Sequence, residues 1–180
     1  MTPTIKQILG EDIPGSTDTD VTADEFVQSG PRTINHGHGI EQVFDIDGYE
    51  RWFRDGVLHR DGDLPAIVTY SSGTQLWYQN GQLHRDGDKP AVIGADGSMR
   101  WYRNGKLHRD GDKPAVIRNG SQYWYRDGLL HRDGDKPAAI YGTGTQEWYR
   151  DGLRHRDGCR PAVTRSDGSE EYWVNGRCIR

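Results

Sequence analysis

Long apolar runs are missing from this chain. No stretch approaches the twenty or so apolar residues that a membrane-crossing helix needs. Only 33% of the 180 residues are hydrophobic, and the mean hydropathy is −0.91. An ordinary globular domain is closer to half apolar, so a thick two-sided core is excluded. Cysteine is nearly missing too: Cys159 and Cys178 are the two, too few for a disulfide-stapled scaffold. A reduced pair is the expectation. The first ten residues lack a basic stretch followed by an apolar one. No secretory signal is therefore expected, and the expected compartment is the cytoplasm, that of the host if the source is viral.

An excess of positive charge is also missing. The formal net charge of −4 resides in residues 1–34, where Glu11, Asp12, Asp18, Asp20, Asp24 and Glu25 face only Lys6 and Arg32. The rest carries 21 basic and 21 acidic residues and is neutral. Nucleic-acid binders normally show a basic field, so no nucleic-acid partner is expected.

Aromatic residues are what the chain does have, with 6 Trp and 9 Tyr, and disordered chains are poor in them. All six tryptophans belong to a repeat. His-Arg-Asp-Gly begins at His59, His84, His108, His131 and His155, at intervals of 25, 24, 23 and 24 residues. Each copy runs on to Pro-Ala, and an aromatic pair follows: Trp77-Tyr78, Trp101-Tyr102, Trp124-Tyr125 and Trp148-Tyr149. Trp52-Phe53 is a degenerate first pair, and Tyr172-Trp173 is a last pair in swapped order.

Turn residues cut each unit into strands. Asn-Gly or Asp-Gly follows every pair, and a second Gly turn precedes it, from Asp47-Gly48 to Asp167-Gly168. Two-residue hairpins need positive φ, which Asn, Asp and Gly tolerate. Pro-Ala-Val-Ile then reads as one strand, the aromatic stretch as the next, and Leu-His-Arg as a short third piece. Stacked at the usual strand separation, these give about ten to twelve strands. Alternation sets Trp on one face and the following Tyr on the other. One such unit buries too little alone, so neighbours must stack. The expected fold is all-β: an elongated antiparallel β-hairpin repeat, solenoid-like, in a single twisted sheet. Residues 35–180 form six such units, the first degenerate and the last a diverged cap. Residues 1–34 are an acidic segment, a cap over the first edge or a partner-binding arm. Capping boxes at Thr4-Ile5-Lys6-Gln7 and Thr22-Ala23-Asp24-Glu25 predict short helices near residues 5–9 and 23–28.

The unit Trp-Tyr-x-Asn-Gly-x-Leu-His-Arg-Asp-Gly-Asp-x-Pro-Ala-Val-Ile resembles MORN-type repeats, in the bacterial and viral variant with Tyr-x-x-Asn-Gly at the hairpin. The resemblance covers about residues 40–180. It implies hairpins packed into an extended sheet, and a scaffold or binding module for proteins or lipid headgroups. The bacterial variant is similar to proteins classed as antitoxins or immunity proteins.

His-Arg-Asp also opens the kinase catalytic loop, but that loop continues Leu-x-x-x-Asn, and here Gly follows in all five copies. An active site is built once, so a motif in every unit reads as structural. Asp-Gly-Asp lacks the length and closing Glu of a calcium loop, and histidines some 24 residues apart are not spaced as metal ligands. No metal and no cofactor are expected. The expected function is non-catalytic recognition of a protein partner, by an inhibitor of immunity, antitoxin or virus-encoded anti-defence type. The candidate binding ladder is Trp77, Tyr78, Trp101, Tyr102, Trp124, Tyr125, Trp148 and Tyr149 with His84, Arg85, His108, Arg109, His131 and Arg132, types enriched in interface hot spots. One alternative is a membrane-docking scaffold using Lys89, Lys106, Lys113 and Lys136. The other is a hydrolase using His36, His38 or a ladder histidine, although Asn35–Gly39 reads as a flexible polar linker. Open sheet edges, including residues Tyr172 to Arg180, also allow a homodimer.

Overall fold

The computed structural model describes residues 31–180, and these form strands, turns and loops. Among them no helix is long and apolar enough to cross a membrane. The helices expected near residues 5–9 and 23–28 lie outside the described residues. The first strand begins at Arg32, three residues before the expected start of the array. The chain divides into two compact units, one ending at Gln82 and one running from Leu83 to Arg180.

In the first unit, strands β1 (Arg32–Gly37), β2 (Ile40–Phe44), β3 (Tyr49–Arg54), β5 (Ile67–Thr69) and β6 (Thr74–Leu76) pair antiparallel in that order. β4 (Val57–Leu58) pairs with the end of β3. β7 (Tyr78–Gln79) and β8 (Gln82–Leu83) follow.

In the second unit, eight strands pair antiparallel in strict chain order: β9 (Val92–Ile93), β10 (Met99–Arg100), β13 (Val116–Arg118), β14 (Ser121–Tyr123), β17 (Ala139–Ile140), β18 (Gln146–Glu147), β21 (Val163–Thr164) and β22 (Glu170–Glu171). Four small hairpins sit off this path: β11 (Tyr102–Arg103) with β12 (Lys106–Leu107), β15 (Tyr125–Arg126) with β16 (Leu129–Leu130), β19 (Tyr149–Arg150) with β20 (Leu153–Arg154), and β23 (Trp173–Val174) with β24 (Arg177–Cys178).

The expectation of a single sheet is therefore refined: each unit gives two strands to a main sheet and two to a side hairpin. The break falls at tryptophan. The Trp101 amide donates to the Ala115 carbonyl of the next repeat at 2.8 Å, while the Trp101 carbonyl accepts from the His108 amide of its own hairpin at 3.1 Å. Trp52, Trp124 and Trp148 make the same pair of bonds. The chain thus changes its hydrogen-bonding partner at one residue, and from Trp77 on each expected aromatic strand becomes two shorter ones, whereas Trp52 lies within the unbroken β3.

The turn chemistry explains the hairpins. After each aromatic pair both turn residues are left-handed, Asp127 at φ 50° and Gly128 at 88°, for example, the conformation whose twist suits a two-residue hairpin. The turns within the main sheet differ from the expected two-residue type. Among them Asn119-Gly120 and His38-Gly39 have both residues left-handed. The others close longer loops on a single Gly, helped at Asp45, Asp96 and Asp167 by a carboxylate that accepts the amide two residues on.

The core is thin, as the low apolar content demands. Ala66, Ala91, Ala115, Ala138 and Ala162 have no exposed area, and Trp77, Trp101, Trp124 and Trp148 are 6–8% exposed. Alanine is the residue that lets a tryptophan ring close over the neighbouring backbone. Val68, Val92, Val116 and Val163 extend this spine. Replacing one ring should therefore cost as much as in a thicker core. Trp124→Ala is expected to destabilise the protein by about 3–5 kcal/mol, measurable by urea unfolding, whereas truncating the exposed Leu129 should cost well under half of that.

Candidate functional site

The His-Arg-Asp-Gly-Asp loop is built from two residues that point along the array in opposite directions. Histidine reaches forward. The Nδ1 atoms of His59, His84, His108, His131 and His155 each accept the backbone amide of the next repeat's turn, from Asn80, Asn104, Asp127, Asp151 and Asn175, all at 3.1 Å. The Nε2 atoms lie 2.8–3.1 Å from the carboxylates of Asp61, Asp86, Asp110, Asp133 and Asp157. An amide can only donate. The ring is therefore the neutral Nε2–H tautomer, with Nε2–H donating to aspartate. A second donor, the guanidinium of Arg103 or Arg126, reaches the Nδ1 of His108 or His131 at 3.1 Å. The turn carboxylates Asp127 and Asp151 stand 3.0 and 2.9 Å from the same Nδ1 atoms. Protonating the ring would hand Nδ1 to the carboxylate and leave the turn amide without its acceptor.

Arginine reaches back. Arg109, Arg132 and Arg156 clasp Asp88, Asp112 and Asp135 of the preceding repeat through two nitrogens, with Nε to Oδ1 at 2.6–2.7 Å. Their guanidinium carbons lie 3.7–3.8 Å from the centroids of Trp101, Trp124 and Trp148. Arg60, Arg85, Arg109, Arg132 and Arg156 all donate to the proline carbonyl five residues on, at 3.0–3.3 Å. The Nε1 atoms of Trp77, Trp101 and Trp124 donate to the carbonyls of Asp63, Asp88 and Asp112. Those three aspartates are left-handed; Asp135 is not, and Trp148 Nε1 has no partner among the described residues. Lys113, Lys136 and Arg160 add a third cation contact to Asp88, Asp112 and Asp135. Hydrogen bonds from Arg109 and Lys113 pull the Asp88 carboxyl down to about 2, and Arg132 with Lys136 does the same for Asp112.

This placement corrects the expected ladder. Trp77, Trp101, Trp124 and Trp148 are buried, and the side chains of His108, His131, Arg109 and Arg132 are 8–15% exposed. They form the spine of the array rather than a row offered to a partner. Tyr78, Tyr102, Tyr125 and Tyr149 are half-buried, as are His84 and Arg85.

Between successive loops of the second unit lie three recesses of about 360–410 Å3 each. Their walls repeat: a His-Arg-Asp-Gly loop on either side, and the Trp-Tyr-Arg of the side hairpin as the floor. The most exposed carboxylates here are Asp86, Asp110 and Asp133, at 80–86%.

The junction is also not a flexible linker. His36 lies in β1, stacked on Trp52 with centroids 5.0 Å apart and planes at 16°. Its Nε2 is 3.0 Å from Gln42 Oε1. Gly39 turns the chain, and its carbonyl accepts the Asp55 amide at 2.7 Å. His38 occupies the turn at φ 50°. Among the described residues no three His, Cys, Asp or Glu side chains converge as a metal site. Cys159 and Cys178 are free and exposed.

Two buried polar clusters were not foreseen. Glu50, 1% exposed, accepts from Gln42, Trp52 and Tyr70 and lies 3.7 Å from Arg60. Burial and the Glu50 charge push the Tyr70 hydroxyl far up, and burial draws Arg60 down. In the second unit Arg154 holds Glu147 at 3.0 Å and donates to the Tyr149 hydroxyl. Burial and the Glu147 charge push Tyr141 up to about 12. The signal for this cluster was present in the sequence: Arg154 breaks the column of Leu58, Leu83, Leu107 and Leu130.

No protein-family model matches the chain, and no curated protein matches it.

Two measurements follow from the clamp. His108→Ala leaves the Asp127 amide without its acceptor, and a lost partner at such a site costs about 1–3 kcal/mol; chemical denaturation reads this directly. The aspartates clasped by arginine have folded pKa values below their unfolded ones, so they stabilise the fold above the unfolded value and lose that contribution as pH falls through the folded one. The midpoint of thermal unfolding is expected to hold down to about pH 4 and to drop between there and about pH 2 as Asp88 and Asp112 protonate.

Proposed function

We propose that this protein is a non-catalytic, MORN-type binding ladder that recognises a protein partner in the cytoplasm and acts as an inhibitor of immunity, antitoxin or anti-defence type. The observation that carries the non-catalytic part is the state of the repeated histidines. In every copy both ring nitrogens are engaged, one by the next repeat's amide and one by aspartate. A general base needs a nitrogen free to meet a substrate proton. Of the two remaining candidates, His36 is committed to Trp52 and Gln42, and His38 stands exposed in the turn between β1 and β2. The partner-binding part is supported by the rigid, periodic surface that the clamps hold in place. The inhibitor class rests on the resemblance of the repeat unit.

Lipid docking through Lys113 and Lys136 is less favoured, because both ammonium groups are held on aspartates of the preceding repeat. The test is affinity capture of the full chain from a host lysate, followed by reconstitution with any stoichiometric protein recovered. The expected result is a defined complex in which that protein loses its own activity. Recovery of no stoichiometric protein, with flotation on anionic vesicles instead, would overturn the reading.

A further inference from the structure

β1 of the first unit runs for six residues, and among the described residues it pairs with β2 alone. The direction of its backbone groups follows from bonds two strands away. The Trp52 amide donates to the Ala66 carbonyl and the Trp52 carbonyl accepts from the His59 amide, so both point away from β2. Trp52 and its opposite residue Gln42 are then a non-hydrogen-bonded pair, and the alternation of an antiparallel ladder turns Gln42 towards β1. Ile34, opposite Gln42, bonds inward to β2. Thr33 and Asn35 therefore hold their amides and carbonyls outward, along an edge with no further strand among the described residues.

The edge is closed at both ends and open between them. Pro31 has no amide hydrogen to donate, and the Gly37 amide is taken by the Asn35 side chain at 2.8 Å. On one face Arg32 lies over the Phe44 ring and His36 over Trp52, with Ile34 between them, apolar and 39% exposed. Thr33 and Asn35 are exposed on the other face. Charge, proline and short length are what blunt an open edge, and residues 33–35 have none of them. β22, the last main-sheet strand of the second unit, is protected in these ways. It has two residues, both glutamates, and the Tyr172 amide that follows is taken by the Arg180 carbonyl.

We propose that β1 is a homodimer interface, to which a second copy of the chain adds its own β1 antiparallel, about a two-fold axis at Ile34. In this register Thr33 faces Asn35 of the second copy, Asn35 faces its Thr33, and each pair exchanges both of its bonds. Ile34 meets Ile34 of the second copy as a non-hydrogen-bonded pair, where side chains stand closest. Arg32 meets His36, so no two arginines oppose each other. The edge fits itself in this register alone. An axis at Thr33 sets Asn35 against Pro31, which lacks a donor, and an axis at Asn35 sets Thr33 against Gly37, whose amide is already taken. Pairing like with like closes at two copies. Six residues a side make a small interface, so the dissociation constant is on the order of 10 µM.

The experiment is sedimentation equilibrium of the full chain from about 1 to about 500 µM, under reducing conditions because Cys159 and Cys178 are exposed. The mass is expected to rise from one copy to two and no further. Thr33→Pro removes an outward amide that β2 does not use and should raise the dissociation constant at least about tenfold, with near-ultraviolet circular dichroism reporting the fold. Ile34→Cys tests the register. Mild oxidation should join the two introduced sulfurs, because a non-hydrogen-bonded pair has the Cα separation a disulfide needs, and mass spectrometry of the linked peptide separates this bond from any at Cys159 or Cys178. Thr33→Cys should form no such link, since its two copies lie a diagonal step apart. A single copy at every concentration, whatever covers the edge, overturns the proposal. So does growth beyond two copies, a folded Thr33→Pro that associates as the unaltered chain does, or linkage at Thr33 and not at Ile34. If Thr33→Pro unfolds, the Ile34→Cys link decides. None of these results touches the recognition of a different protein, so the binding-ladder reading stands or falls by its own test.

Discussion

The structure depends on hydrogen bonds that no single repeat can complete by itself. The imidazole of one copy is satisfied by the turn amide of the next, and the guanidinium by an aspartate of the one before. A lone copy would leave a turn amide, a ring nitrogen and a carboxylate unpaired around a tryptophan with nothing to lie on. Stability must then come from neighbouring interfaces, and both ends need special treatment. At the start, the Gly39 carbonyl takes the Asp55 amide, and His36 lies on Trp52. At the end, Ile179 stands in the histidine place and Tyr172 in the tryptophan place, and the Tyr172 amide is taken by the Arg180 carbonyl. An isoleucine cannot accept a hydrogen bond, so the forward half of the clamp stops there. Of the arginine half the ring contact persists, with Arg180 lying 4.5 Å from the Tyr172 ring centroid, while Cys159 stands where the preceding repeats carry the clasped aspartate.

Much of this was legible in the residues. The period, the hairpin turns and the all-β character follow from Asn-Gly, Asp-Gly and the recurring aromatic pair, because only left-handed residues close such turns. The switch of partner at tryptophan was not legible. Alternation tells which side a side chain takes but not which strand its backbone bonds to, so Met99 to Arg103 reads as one strand although it joins two ladders. The fate of the motif was half legible. Its presence in every copy marked His-Arg-Asp as structural, yet the surface ladder drawn from the same residues placed Trp101 and Arg109 in view when they are stacked on each other and largely buried. The Asn35–Gly39 segment looks like a linker by composition. Its order comes from Trp52, Gln42 and Asp55, partners that only the fold brings near.

The clamp also decides what the protein offers to others. In the second unit the groups that remain exposed are at the rims: the lysines, Arg103, Arg126 and Arg150, and the aspartates beside each histidine. These recur at the step of the sheet, so any ligand meets a surface with a fixed ruler on it. The recesses depend on stacking for their shape, because each is walled by the loops of two successive repeats.

The central claim is that the repeated histidines are fixed structural acceptors. The most direct measurement is nitrogen NMR of the full chain with labelled imidazoles, which distinguishes a protonated from an unprotonated ring nitrogen. The account predicts that His59, His84, His108, His131 and His155 all show an unprotonated Nδ1 and a protonated Nε2, with Nδ1 coupled through a hydrogen bond to the amide of the following repeat's turn. Rings that carry the proton on Nδ1, or that average between tautomers as free surface imidazoles do, would contradict it.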